Sequence, residues 1–164
     1  MEMRGRPWVV LALVGGLVGA VVPAAVGERQ VTVEVMAKRT LMSAVANIAV
    51  GAGFVSGGEL TAPGGRAKVG DGFSHCGVLS VSASVPPAIT AHCTSTFKLQ
   101  DGELHLSSLR TYKSLDAGFD DTTIAVVGGT GKYANVRGEG KVTRATFADR
   151  ADVGYRFTFT LLER

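Results

Sequence analysis

Apolar and polar residues alternate with a period of two along most of this chain. In 31–36, Val alternates with Thr, Glu and Met, and in 153–161, Val and aromatic residues alternate with Arg and Thr. A period of two indicates a strand with one buried face, whereas a helix repeats every 3.6 residues. The β-branched and aromatic residues of these runs also favour strands. The sequence therefore predicts a fold built almost wholly from β-strands.

One stretch departs from this pattern. Residues 38–50 are rich in Ala, Leu and Met, which favour helices, and we expect a short helix or a long loop there. A second strand is predicted over 48–60. Gly57-Gly58 is expected to interrupt it, and Pro63-Gly64-Gly65 to end it.

Turn-forming sequences divide the rest of the chain into runs of similar length. Pro86-Pro87, Gln100-Asp101-Gly102 and Gly128-Gly129-Thr130-Gly131 each separate two strand-like runs. This spacing predicts about eight strands, which is typical of a sandwich or a closed antiparallel barrel. Closure removes the exposed edges, and an eight-stranded barrel has room inside for side chains or one small ligand.

The first 27 residues have the features of a signal peptide. Arg4 and Arg6 precede an uncharged apolar run at 8–22, and Pro, Ala and Gly follow it. That run is short for a bilayer span of about 20 residues, and its flanks suit a signal peptidase. We predict cleavage after Gly27, with an uncleaved anchor as the alternative. The single domain at 28–164 is then secreted or in the cell envelope, and meets the membrane only through the signal peptide.

Charge and motifs exclude several kinds of site. The formal net charge is +3 and the basic residues form no stripe, so no nucleic-acid partner is expected. His75, His92 and His105 are scattered and no cysteine pair has zinc spacing, so no metal site is expected. The glycines at 128–131 are interpreted as structural, because no helix and no GK[ST] ending follow them.

The two cysteines, Cys76 and Cys93, lie almost symmetrically about the Pro86-Pro87 turn. A hairpin centred on that turn places them opposite each other, close enough for a bond. An even number of cysteines in an exported chain also favours a disulfide. We therefore predict a Cys76–Cys93 disulfide.

The segment 122–138, TTIAVVGGTGKYANVRG, resembles the signature of the allene oxide cyclase and dirigent families. The shared features are an apolar strand, GG[TS]G, an aromatic residue and a second glycine. Similar runs at 69–76, 93–106 and 155–162 extend the resemblance. It implies an all-β fold, an eight-stranded antiparallel β-barrel with an apolar cavity for a hydrophobic small molecule. It also implies that no cofactor is used and that the chain forms an oligomer, a trimer or a dimer.

The resemblance further implies site residues. The cyclases have a first-strand glutamate followed two positions later by asparagine; Glu34 matches the glutamate, but Met36 replaces the asparagine. Cys76 matches a cavity cysteine, which would be a free thiol, and Tyr112 lies near a cavity tyrosine. We predict Glu34, Tyr112 and Cys76 as catalytic residues, although the missing asparagine argues against an allene oxide as substrate. The dirigent proteins also have acidic and arginine site residues. The nearby polar residues that are candidates for these roles in this chain are Asp116, Asp120, Asp121 and Arg110.

The orientation of Glu34 is left open by the period of two. If Val31, Val33 and Val35 line the cavity, Glu34 faces solvent as an ordinary surface charge. If these valines face outward into a subunit interface, Glu34 points into the barrel. Desolvation would then raise the pKa of its carboxyl group, as a general acid requires.

Two functions follow from a closed apolar cavity. It can hold both reacting ends of a flexible substrate together, so we predict a cofactor-independent cyclase or isomerase acting on a polyketide, polyene or oxylipin-like metabolite. An intramolecular [4+2] closure is one such reaction. The alternative is a non-catalytic dirigent-like protein or ligand carrier; a filled-core adhesion or stress module is a third interpretation. An inward carboxylate with a phenol or thiol favours catalysis, and an all-apolar lining favours carriage.

Overall fold

The structure is a computed structural model that describes residues 27–43, 47–64, 66–147 and 153–163. The predicted signal peptide lies outside these residues, apart from Gly27. Within them, no helix is long and apolar enough to cross a membrane. The elements in chain order are β1 (Arg29–Met42), β2 (Gly53–Thr61), β3 (Lys68–Val81), β4 (Ile89–Leu99), β5 (Gly102–Ser114), β6 (Gly118–Phe119), β7 (Thr122–Gly129), the 3-10 helix η1 (Gly131–Tyr133), β8 (Val136–Ala145) and β9 (Gly154–Glu163).

The strands form one antiparallel sheet that closes on itself. The order of neighbours is β4-β3-β2-β1-β9-β8-β7-β5, and β4 also pairs with β5. The short strand β6 pairs with the far end of β5. The predicted eight-stranded antiparallel barrel is therefore confirmed, with β6 as an addition at one end.

Strand β1 is longer than the sequence pattern predicts. Residues 38–42, expected to begin a helix or loop, continue β1 and pair with β2, with a register shift between Arg39 and Leu41. The ladder to β2 outweighs the helix preference of Ala, Leu and Met, because strand pairing is set by distant parts of the chain. The prediction was wrong for 38–42. Residues 44–46 lie outside the described chain, and 47–52 contain neither helix nor strand.

Strand β2 begins later than predicted and is continuous. It starts at Gly53 and runs through Gly57 and Gly58 to Thr61. A Cβ atom on Gly58 would lie 1.8 Å from the carbonyl oxygen of Lys38 on β1. Gly58 therefore allows the backbones of β1 and β2 to approach closely, and it does not mark a turn. The other predicted turns are confirmed, at 86–87 between β3 and β4 and at 100–101 between β4 and β5.

Inside the barrel, aromatic rings pack opposite glycines on neighbouring strands. Phe97 on β4 pairs with Gly72 on β3, and Phe159 on β9 pairs with Gly140 on β8. A Cβ atom would lie 3.1 Å from the Phe97 ring at Gly72 and 2.5 Å from the Phe159 ring at Gly140. The interior of an eight-stranded barrel is narrow, so each large ring takes the space that the opposite residue leaves.

The GGTG segment packs against the β4–β5 turn, at the end of the barrel away from β6. Gly131 has a φ of 57°, and a Cβ atom there would lie 2.5 Å from the carbonyl oxygen of Asp101. The next residue, Lys132, donates its N–H to that same carbonyl at 2.9 Å. Both the positive φ and the close approach require glycine, so the motif has a structural role.

A disulfide joins Cys76 on β3 to Cys93 on β4. The two residues are direct partners in the register, their Cα atoms lie 4.1 Å apart, and both side chains are fully buried. The predicted bond is confirmed. The alternative of a free thiol at Cys76 is wrong for this structure.

We predict that the Cys76→Ala/Cys93→Ala variant loses about 3 kcal/mol of unfolding free energy, because it frees the unfolded chain from a closed loop. Urea denaturation followed by circular dichroism measures the difference. Wild-type protein with a reductant is the control and should lose a similar amount. Two titratable thiols in unfolded, unreduced wild-type protein would contradict the assignment.

All three tyrosines of the chain, Tyr112, Tyr133 and Tyr155, are buried. Burial raises the pKa of each phenol above the ordinary value of 10.0. The Tyr155 hydroxyl also accepts a hydrogen bond from the N–H of Phe119 at 2.6 Å, which ties β9 to β6. The folded protein therefore holds its tyrosine protons more tightly than the unfolded chain does.

We predict that stability falls as the pH rises above about 10, the ordinary pKa of a tyrosine. Above that pH the unfolded state binds fewer protons than the folded state, so the free energy of unfolding decreases; below it, this contribution is fully present. Tyrosinate absorbance and circular dichroism should change together during an alkaline titration. Ionisation of every tyrosine near pH 10 in protein that stays folded would contradict this expectation.

Candidate functional site

Three neighbouring strands place polar side chains on the inner wall of the barrel. The alternation directs Ser74 of β3, Ser95 of β4, and Ser108, Arg110 and Tyr112 of β5 inward. All except the half-buried Ser74 are buried. We refer to Arg110 and the three serines as the arginine cluster.

Hydroxyl groups hold the Arg110 guanidinium in the cluster. Its Nε donates to Ser108 Oγ at 3.0 Å, Nη1 to Ser74 Oγ at 3.2 Å and Nη2 to Ser95 Oγ at 2.7 Å. The hydroxyls of Ser74 and Ser95 are themselves 2.7 Å apart. The guanidinium group also interacts with the neighbouring Tyr112 hydroxyl, which opposes the effect of burial on the pKa of Arg110. Arg110 is therefore fixed in position by several neutral acceptors.

The charge of Arg110 has no carboxylate partner in the described part of the chain. Only 3% of the residue is exposed, and burial lowers the pKa of the guanidinium, with the neighbouring Tyr112 opposing the shift. The guanidinium carbon lies 4.6 Å from the centre of the Phe119 ring, a cation–π contact. Neutral partners replace the lost hydration only in part, so an oxyanion or carbonyl oxygen beside Arg110 would be stabilised.

Tyr112 lies next to Arg110 on the inner face of β5. Its hydroxyl oxygen is 3.8 Å from Sγ of Cys76 and 3.7 Å from Sγ of Cys93. Burial raises the pKa of this phenol, and Arg110 lowers it by a smaller amount. The phenol is therefore protonated at neutral pH and can donate a hydrogen bond.

A cavity of about 60 Å³ lies beside these groups, at the β6 end of the barrel. Such a volume holds about four to six water molecules, far below the roughly 300–1,000 Å³ of typical ligand sites. None of the described residues that line it is Asp or Glu. Besides Ser56 and Ser74, its lining consists of basic, aromatic, aliphatic and glycine residues, namely Ala37, Lys38, Arg39, Met42, Gly57, Gly58, Leu60, Gly72, Phe97, Arg110, Tyr112, Gly118, Phe119, Tyr155 and Phe157.

Arg39 of β1 fastens the segment that covers this end of the barrel. Its Nη1 donates to the carbonyl of Leu115 at 2.7 Å and its Nη2 to the carbonyl of Asp116 at 2.6 Å. Both carbonyls belong to the turn before β6. Phe119 of β6 stacks on Tyr155, with the ring centres 4.0 Å apart. The cover is a two-residue strand that is held by its backbone pairing with β5 and by these side chains.

Glu34 lies away from this site. Val35 belongs to the hydrophobic core and Val33 packs against it, so these valines face inward and Glu34 faces outward. Its carboxylate is 3.4 Å from Nε of Arg156, which is exposed. Of the two orientations of Glu34 that the sequence left open, the structure shows the one that faces solvent.

The three predicted catalytic residues are thus only partly brought together. Tyr112 lines the cavity and contacts the disulfide of Cys76, whereas Glu34 is on the other side of the barrel wall. The sulfur of Cys76 is bonded to Cys93 and supplies no thiol in this state. The polar groups inside the described barrel include the Tyr112 phenol and the arginine cluster, and Arg39 and Tyr155 also line the cavity.

Sequence reasoning gave Arg110 too little weight, as one of several polar candidates. The signal was available in strand β5, where Leu104, Leu106, Ser108, Arg110 and Tyr112 share one face by the period of two. Two leucines on a face indicate that it points inward. An arginine and a serine on that same face therefore had to be buried.

Metal-ligating residues do not gather in the described structure. No group of three or more His, Cys, Asp or Glu side chains lies close enough there to share an ion. Of the histidines, His92 contacts Ser107 Oγ at 2.9 Å and His105 contacts Glu103 at 3.4 Å, both toward the outer surface. These contacts place neither ring in the cavity.

Known structures share this barrel. Pyocyanin demethylase is 24% identical with a TM-score of 0.60, over 80% of this chain and 99% of that one. The pterocarpan synthase dirigent protein PsPTS1 is 16% identical with a TM-score of 0.58, over 82% and 96%. The Diels–Alderase AbmU from Streptomyces koyangensis is 14% identical with a TM-score of 0.59, over 86% and 72%. At these identities the likeness concerns the fold. No curated protein sequence matches the chain significantly.

The family profile described as the allene oxide cyclase barrel like domain matches residues 30–155. The match runs from β1 to the start of β9, and so includes the arginine cluster, Tyr112 and the disulfide. It agrees with the closed antiparallel barrel and with the resemblance seen at 122–138. This chain therefore belongs to the allene oxide cyclase barrel-like family.

Proposed function

We propose that this protein is a cofactor-independent cyclase or isomerase that folds a hydrophobic metabolite inside the barrel. The observation that carries the proposal is the convergence of two fixed donors, Arg110 and Tyr112, on a cavity with otherwise mainly apolar walls. Aromatic walls can bind and shape an apolar chain, while a few polar groups fix its orientation. Donors that are fixed before the substrate binds stabilise developing negative charge at little reorganisation cost.

Ring closure requires little from a protein beyond an apolar cavity and fixed hydrogen-bond donors. In an intramolecular [4+2] closure, a diene and an alkene of one molecule form two carbon–carbon σ bonds while three π bonds become one, and no atom is gained or lost. A hydrogen bond from Arg110 or Tyr112 to a carbonyl conjugated with the alkene draws electron density from that alkene. Holding both ends at reacting distance removes much of the entropic barrier.

A substrate of this kind needs more room than the 60 Å³ of this cavity. The least costly way to enlarge it is to move β6, because only two of its residues pair with β5. Its segment is also tied by the Arg39 bonds to the preceding turn, the Tyr155 bond to Phe119, the Arg144 bond to the carbonyl of Ala117 and the bond from the Asp120 N–H to the carbonyl of Thr111. We infer that the substrate enters at this end and that β6 closes over it, as lids do in other enzymes.

A non-catalytic carrier of hydrophobic small molecules is the second candidate. It is favoured by one observation: none of the described lining residues is a carboxylate that could act as a general acid or base. A carrier would bind its ligand in the same cavity and release it unchanged.

The disulfide supports a proposal on where the protein acts. A buried disulfide is consistent with an oxidising compartment, so we propose that the protein acts in the cell envelope or outside the cell after removal of residues 1–27. Assembly as a trimer or dimer remains a prediction.

To test the proposal, protein expressed from the full chain is incubated with linear polyenes that carry a conjugated diene and an α,β-unsaturated carbonyl. Chromatography with mass spectrometry should detect products of unchanged mass and altered retention. We expect Arg110→Met to lower turnover by about 10²-fold, because it keeps length and removes a donor to the developing charge. Tyr112→Phe should lower it by a comparable factor.

Arg137→Met is the matched control, since Arg137 is exposed and does not line the cavity. It should turn over substrate at the wild-type rate, and circular dichroism should show that all three variants are folded. Polyenes that bind but return unchanged would support the carrier. Turnover by Arg110→Met and Tyr112→Phe at the wild-type rate would remove these residues from the reaction.

A further inference from the structure

The cavity is unusual in the charge of its lining. Two arginines, Arg39 and Arg110, are among the described lining residues, and none of the described lining residues is acidic. Arg39 donates to backbone carbonyls and Arg110 to hydroxyls, all of them neutral acceptors. Neither arginine forms an ion pair with a described Asp or Glu. The described wall of the cavity therefore has a net positive charge.

A structural role does not account for the charge of Arg110. The strands that its hydrogen bonds connect, β3, β4 and β5, are already joined by continuous ladders and by the Cys76–Cys93 disulfide. A neutral side chain in this position would avoid the desolvation of a buried cation. Replacing a buried ion by an apolar residue of similar size often leaves a fold as stable or more stable.

Binding of a neutral carbonyl makes less use of the charge of Arg110 than binding of an anion. Tyr112 and the three serines already supply hydroxyl donors at this wall. The advantage of a cation over these donors is greatest when the ligand group is itself charged, because Coulomb attraction then adds to the charge-assisted hydrogen bond. The planar fork of arginine also suits an oxyanion with two oxygen atoms.

The size of the cavity agrees with this. A volume of about 60 Å³ fits a small head group better than a whole metabolite. The apolar part of the ligand would then lie against aromatic and aliphatic side chains of the lining, such as Phe119 and Met42. The Arg110 guanidinium lies at the inner wall of the barrel, where such a head group would end.

We propose that the cavity binds hydrophobic acids, that is, apolar molecules whose one oxyanion, a carboxylate or an enolate, pairs with Arg110. This names the substrate class of the proposed function and rests on its cavity, but it holds equally for an enzyme and for a carrier. Arg110 is then the residue that selects acids over their neutral counterparts.

Matched acids and methyl esters test the proposal. The C18 tetraene parinaric acid and its methyl ester are compared by fluorescence titration, and sorbic acid and methyl sorbate by calorimetry, at neutral pH with the full chain. At least one acid should bind more tightly than its ester by about 30-fold or more, as expected for a paired buried charge. Arg110→Met should remove this preference, because it should weaken binding of the acid far more than binding of the ester.

Two further variants sharpen the result. Arg110→Lys should keep part of the preference, because it keeps the charge without the fork, and Arg137→Met should keep all of it. Equal affinity of acid and ester for the wild-type protein overturns the proposal without any variant, and so does failure of both acids to bind. A preference that survives in folded Arg110→Met overturns the role of Arg110.

The two proposals fail separately. Selective binding of the acid without turnover of any polyene leaves this inference standing and supports the carrier. Turnover without a preference for acids leaves the cyclase standing and overturns this inference.

Discussion

Space inside a closed eight-stranded barrel is the constraint on which the other features of this protein depend. Every second side chain of each barrel strand points into the same narrow interior, so large and small residues must complement one another. Phe97 and Phe159 fit because glycines stand opposite them. Four of the described residues that line the cavity are glycines, namely Gly57 and Gly58 of β2, Gly72 of β3 and Gly118 of β6.

Burying a cation in so narrow an interior costs desolvation free energy, so the presence of Arg110 there needs an explanation. Hydrogen bonds to a charged group contribute about 1.5–3 kcal/mol each, while burying an ion costs several kcal/mol. The three serines around Arg110 therefore roughly offset its desolvation and leave little net stabilisation. Since stability does not explain the arginine, its value lies in what it can bind.

Local and periodic features of this fold were predictable from the sequence, and features set by distant pairing were not. The strands, the turns at 86–87 and 100–101 and the disulfide follow from alternation and symmetry about one turn. The extension of β1 through 38–42 depends on β2, which no local propensity encodes. The direction of Glu34 was open because apolar residues can face either a core or a subunit interface. Arg110 was within reach, since the leucines of β5 mark its face as buried.

Under the proposed function, the groups inside the barrel also limit which reactions it could accelerate. Glu34 is outside the wall and Cys76 is bonded, so the described cavity has hydrogen-bond donors and positive charge but no placed base. Donors stabilise negative charge that develops on a substrate oxygen, but they cannot take a proton from carbon. The reactions that fit are those in which the substrate supplies its own reactive partners, as in ring closure between a diene and an alkene. A substrate that already carries an oxyanion can pair with the cation of Arg110 without any proton transfer. Such a substrate needs no base, so the positive charge of the described cavity is consistent with the absence of a placed base there.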